Sequence, residues 1–93
     1  MITERELNLM RGWDELSLSE KRIAEYLMAN DGTAEGSQAS IGRLVGDNQP
    51  ANVVRAVKGL IEKGIVRKEF VSSTFIRLYL NDDYDEVLMG LGE

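Results

Sequence analysis

The chain has 93 residues, of which 43% are apolar and 29% charged, with a formal net charge of −5, enough for one small domain with a single core. It contains no cysteine and no histidine, which excludes disulfides, zinc-finger chemistry, thiol nucleophiles and the commonest general base, so a non-enzymatic role without metal or cofactor is expected. No apolar run approaches the roughly 18 residues that span a bilayer and no signal peptide is recognisable, so the expected location is cytoplasmic.

Thr3 followed by Glu6 has capping-box spacing and predicts a first helix running to about Arg11 and ending near Gly12. Ser17 and Glu20 repeat that spacing ahead of a second helix. Its face is Ile23, Tyr26 and Leu27, at i, i+3 and i+4, and Asn30-Asp31-Gly32 closes it. The polar, glycine-bearing stretch DGTAEGS is expected to be a loop. Ser37 then reads as the N-cap of a short helix ending at Val45, with Gly46 just beyond, where a left-handed residue is wanted. Asp47-Asn48-Gln49 is a turn, and Pro50 suits the first turn of the next helix because its missing N–H costs nothing there. Val53, Val54, Val57, Leu60 and Ile61 form that helix's apolar stripe, and Lys63-Gly64 ends it.

Two β-rich runs follow, IVRKEFV and TFIRLYL, split by Ser72-Ser73. A two-residue loop would oppose Lys68 to Arg77, which is unfavourable. A three-residue loop pairs Glu69 with Arg77 and Phe70 with Ile76 instead, and that register is expected. Phe70 and Phe75 are expected to pack on each other, insertion into a nucleic-acid groove being the lesser alternative. The segment NDDYDEVLMGLGE predicts a last helix with its acids at the N-terminus and Tyr84, Val87, Leu88 and Leu91 on one face. DDYDE lacks the glycine and the twelfth-position glutamate of a calcium loop, so no metal is expected there. The fold class is mainly α with a small β-hairpin, α+β, in one domain.

Charge is unevenly distributed. Residues 1–40 carry a net −4, residues 41–80 a net +4, and residues 81–93 a net −5. A basic centre inside an acidic chain can attract a polyanion locally.

That centre, SQASIGRLVGDNQPANVVRAVKGLIEKGIVRKE, resembles the core of winged helix-turn-helix DNA-binding domains over roughly residues 18–80. The matching positions are Ser37, Gln38, Ile41, Gly42, Val45, Gly46, Val53, Val57, Leu60, Gly64, Ile65 and Val66. The resemblance implies a winged helix-turn-helix with short extra helices at both termini (residues 1–16 and 81–93). Its recognition helix, about 50–63, would lie in the major groove of double-stranded DNA, with the hairpin 65–80 as the wing. In that placement Gln49, Asn52, Val54 and Arg55 would read base edges. Ser37, Arg43, Lys58, Lys63, Arg67, Lys68 and Arg77 would contact phosphates or form the wing. Gly42 would allow the two helices to approach closely. Gly59, mid-helix, would permit close approach of a phosphate or simply be tolerated on an exposed face.

The resemblance further implies a homodimer, with Leu7, Met10, Trp13, Val87, Leu88 and Leu91 as interface candidates; packing of both end helices on their own domain is the alternative. Three functions remain open: a small transcriptional repressor acting by occlusion, the DNA-binding domain of a plasmid or phage replication initiator, and a winged-helix protein-interaction module that does not bind DNA.

Overall fold

The computed structural model describes residues 2–47 and 49–93; the Asn48 position of the expected turn lies outside the described residues. The order is α1 (Glu4–Asp14), α2 (Leu18–Ala29), β1 (Thr33–Gly36), α3 (Gln38–Val45), α4 (Pro50–Glu62), β2 (Val66–Phe70), β3 (Ile76–Leu80) and α5 (Tyr84–Leu91). The described residues form an α+β fold of five helices and one antiparallel sheet of order β1-β3-β2.

The helix starts follow the caps. Thr3 Oγ1 accepts the Glu6 N–H at 3.1 Å. Ser17 and Glu20 form a reciprocal capping box, with the Ser17 N–H donating to Glu20 Oε1 at 2.7 Å and the Glu20 N–H to Ser17 Oγ at 3.2 Å. Ser37 Oγ accepts the Ser40 N–H, and Gly46 closes α3 with φ 81°. Pro50 is the first residue of α4. The hairpin has the three-residue register, Glu69 opposite Arg77 and Phe70 opposite Ile76.

Three expectations are corrected. Gly12 does not end α1, which continues to Asp14. A glycine is tolerated inside the helix because a side chain there would overlap the Leu88 carbonyl of α5. The DGTAEGS stretch is not a loop throughout: after Asp31 and Gly32, both at positive φ, Thr33–Gly36 becomes the third strand, bonded to β3. Its two inward residues, Ala34 and Gly36, are small, so the strand carries almost none of the apolar alternation by which strands are recognised. Ile61 does not belong to the inward stripe of α4. Val53, Ala56, Val57 and Leu60 are buried, whereas Val54 and Ile61, on the stripe's edge, are 47% and 37% exposed.

The core lies between α2, α3, α4 and the inner face of the sheet. Ile23, Leu27, Ile41, Leu60, Ile65 and Leu78 are all fully buried there, each burial stabilising by roughly 1.5–3 kcal/mol. The two terminal helices, α1 and α5, lie on each other within the chain. Two glycines make that contact possible, since side chains at Gly12 and Gly92 would run into Leu88 and into the Asn8 carbonyl. Arg5 and Asp85 add an exposed ion pair at 3.3 Å. Of the six interface candidates, Leu88 is buried within its own chain and Trp13, Val87 and Leu91 are half-buried against the core; Leu7 and Met10 stay exposed.

Candidate functional site

The surface formed by α3 and α4 is singled out by its charge. From Gly36 to Glu62 the chain has three cations, Arg43, Arg55 and Lys58, and two acids, Asp47 and Glu62, the latter exposed at the C-terminal end of α4. All three cations are exposed. Asp47 is buried and saturated: Oδ1 accepts the Gln49 N–H at 3.0 Å and Oδ2 accepts the Ser19 hydroxyl at 2.9 Å. The Gln49 N–H, then the Ser19 hydroxyl, hold its carboxyl below its ordinary 3.8 against the opposing effect of burial, with Asn52 and Arg22 acting in the same lowering sense. A carboxylate that could repel a polyanion is thus spent on fixing the turn between the helices.

Gly42 and Gly46 set the angle of the pair. A side chain at Gly42 would meet the Asp47 carbonyl at 2.7 Å and Val53 Cγ2 at 2.9 Å, so the small residue is required where α3 crosses α4, as expected. Arg22 of α2 donates to the Gly46 carbonyl at 3.3 Å and braces the same turn from outside. Neither Asp47 nor Arg22 was among the sequence candidates. The run Asp47-x-Gln49-Pro50 did hold a signal for the first, since an aspartate two residues before a helix start can accept that N–H.

Gln49 is exposed at the N-cap of α4, Val54 and Arg55 are exposed along it, and Asn52 is half-buried. Arg55 runs back along its own helix, bonding Asn52 Oδ1 at 2.8 Å and the Ala51 carbonyl at 3.4 Å. A guanidinium has five N–H donors, so these bonds orient the group and leave donors facing solvent. The four base-reading candidates therefore share the first two turns of one helix.

The phosphate candidates divide. Arg43, Lys58, Arg67 and Lys68 are exposed. Arg43 bonds Ser40 Oγ at 3.3 Å, the Arg67 guanidinium lies 5.3 Å from the Tyr79 ring centroid, and the Lys68 ammonium lies 4.8 Å from that of Phe70. The other three are committed inside the chain. Ser37 is a helix cap whose hydroxyl also donates to Ser40 Oγ. Lys63 is bonded to both Glu20 carboxylate oxygens, at 2.8 and 2.9 Å. Arg77 sits on the outer face of the sheet, bonded to Glu35 at 3.0 Å and to the Tyr79 hydroxyl at 3.3 Å; these two partners raise its pKa.

Gly59 also has a structural reason. It faces the Glu20 carboxylate, which a side chain there would strike. Burial alone would raise the Glu20 pKa, but the Lys63 ammonium and the Ser17 N–H outweigh it and hold the group below its ordinary 4.5.

Among the described residues no cluster of His, Cys, Asp and Glu is arranged to hold a metal ion, and no helix is long and apolar enough to cross a membrane. Compared with family models, with curated proteins and with solved structures, the chain matches none.

Proposed function

We propose that the chain binds double-stranded DNA, with the outer face of α4 in the major groove and the β2–β3 hairpin against the neighbouring backbone. The observation that carries this reading is the exposed surface of α3 and α4, where the three cations Arg43, Arg55 and Lys58 face solvent and the one exposed acid, Glu62, lies at the far end of α4 from Gln49 and Asn52. The order α2-β1-α3-α4-β2-β3 with sheet order β1-β3-β2 is compatible with a winged helix-turn-helix, in which the second helix of the pair reads the groove. Arg55, held by Asn52, suits bidentate contact to guanine O6 and N7, and Gln49 and Asn52 suit adenine N6 and N7. Arg43, Lys58, Arg67 and Lys68 are the phosphate contacts; Lys63 and Arg77 are structural.

On this reading the protein is a small regulator that occludes its site, or the DNA-binding part of a replication initiator. A selected site in the protein's own promoter supports the first, and one in a replication origin the second. It would act as a homodimer, with Leu7 and Met10 as the apolar groups left to meet a second copy.

A protein-interaction module is the competing reading, favoured by the exposed Leu44, Val54 and Ile61 on the same two helices. Salt separates them. Four phosphate contacts in each copy predict that log K falls with log salt by roughly 3–4 for one copy and about twice that for a dimer, at about 0.9 per contact. Arg55→Ala should cost about 1–3 kcal/mol of binding free energy and relax the preference at one position of the selected site. Absence of duplex binding at low salt, or an Arg55→Ala variant that selects the same sequence with the same affinity, would end the DNA reading.

A further inference from the structure

The hairpin tip carries a feature that major-groove binding does not use. β1 lies beside β3 only as far as the pair Gly36–Ile76, so residues 71–75 project beyond the end of the third strand. The projection is ordered by its own bonds: the Val71 and Ser72 N–H groups donate to the Phe75 carbonyl at 2.9 and 3.1 Å, and the Phe75 N–H donates to Ser72 Oγ at 3.2 Å. Neighbouring residues of a strand point to opposite faces. Phe70 therefore shares a face with Ile76, and Phe75 shares the other with Val71 and Arg77. The expected packing of Phe70 on Phe75 is thereby excluded, and the two rings flank a thin blade. Phe70 is 69% exposed, Val71 50% and Phe75 39%.

Directly behind this apolar end stand two cations, Lys68 against the Phe70 ring and Arg67 against the Tyr79 ring. The one acid between Ile65 and Leu80 is Glu69, whose carboxylate accepts the Tyr79 hydroxyl at 3.3 Å. An apolar edge with a cationic collar matches a target that is apolar inside and anionic at its rim.

We propose that this tip is a wedge, in which Phe70, Val71 and Phe75 enter the minor groove beside the α4 contact, unstack one base step and bend the duplex, while Lys68 and Arg67 meet the phosphates on either side. The inference rests on the DNA reading above. A minor groove about 6 Å wide has room for the edge of a hairpin but not for a helix. Apolar side chains pushed between base steps kink DNA by roughly 20–90° and pay for unstacking with the surface that the bend brings into contact. A lipid surface shares the apolar-inside, anionic-rim chemistry. The observations favour DNA because the exposed cations Arg43, Arg55 and Lys58 of α3 and α4 supply a second polyanion contact in the same molecule.

The test uses a duplex of about 30 base pairs, taken from a selected pool, with fluorophores at its ends for energy transfer and 2-aminopurine at successive steps beside the α4 contact. The wild-type chain should shorten the end-to-end distance and brighten 2-aminopurine at one step. The double variant F70S/F75S should keep the sequence preference and bind only about threefold to tenfold more weakly, yet lose both signals; the single variant Phe70→Ser should lose part of each. Circular dichroism of both variants checks that the exposed substitutions leave the fold intact. A straight wild-type complex without brightening, or a double variant that bends DNA as the wild type does, overturns the wedge and leaves the DNA reading standing. Failure of the wild type to bind any duplex overturns both. In that event, cosedimentation of the wild type but not the double variant with phosphatidylglycerol–phosphatidylcholine vesicles would assign the tip to lipid.

Discussion

The α3–α4 pair and the α1–α5 pair are both helix pairs brought close by glycine, yet the glycines serve opposite ends. In α3–α4, Gly42 and Gly46 fix a sharp crossing, and the acid of the turn, Asp47, is turned inward and capped, so the exposed charges beside the turn, Arg43 and Arg55, are cationic. In α1–α5, Gly12 and Gly92 bring two backbones together, while the acids Glu4, Glu6, Glu15, Asp82, Asp83, Glu86 and Glu93 remain on the surface. One pair is built to present a face and the other to hide one. The net charge of the chain is therefore a poor guide to what α4 meets.

That contrast can be broken most forcefully at Gly12. Gly12→Leu should separate α1 from α5 and cost about 3 kcal/mol, the upper part of the range for overpacked sites, because the obstacle is backbone and not a flexible side chain. Urea denaturation measures the loss. Duplex affinity per folded molecule should stay unchanged if the two pairs are independent.

A smaller effect is expected at the junction of α2 with α4. Glu20→Gln keeps an acceptor for the Ser17 N–H but removes the charge facing Lys63, and should cost roughly 1–2 kcal/mol at neutral pH. Because the folded-state pKa of Glu20 lies below 4.5, the unfolded chain binds more protons in acid. Its contribution is complete above about 4.5 and disappears as pH falls through the folded-state value. Thermal midpoints measured from pH 6 to pH 3 should therefore fall more steeply for the wild type than for the variant. The Asp47 shift has the same sign, so the variant's profile should still decline. Parallel profiles would mean that the Glu20–Lys63 pair does not contribute.

The smallest effect on stability is expected from the double variant L7K/M10K, since both side chains are exposed; surface changes of this kind usually stay within about 0.5 kcal/mol. Its readout is mass. Light scattering should show the wild type as a dimer and the variant as a monomer, whereas a wild-type monomer on DNA would confine the terminal pair to folding.

Much of this architecture is local chemistry and could be read from the chain. The caps at Thr3, Ser17 and Ser37, the left-handed Gly46, Pro50 at a helix start and the Glu69–Arg77 pairing each follow from a few adjacent residues. What escaped reading depends on distant partners. Lys63 is claimed by Glu20, 43 positions away, and Arg77 by Glu35, 42 positions away. No feature of the basic segment distinguishes these two cations from Lys58 or Arg67. β1 escaped because Ala34 and Gly36 become strand residues only once β3 offers them a partner. Gly12 reads as punctuation in the sequence because its use, the crossing with α5, depends on residues at the far end of the chain.

Glu20 shows what such distant pairing does to the molecule as a whole. The same carboxylate closes the first turn of α2, grips the residue that ends α4 and fills the space above Gly59. Fraying at the start of one helix is therefore not an event separate from detachment of the end of the other. The two segments form one cooperative unit, opened or shut by a single side chain.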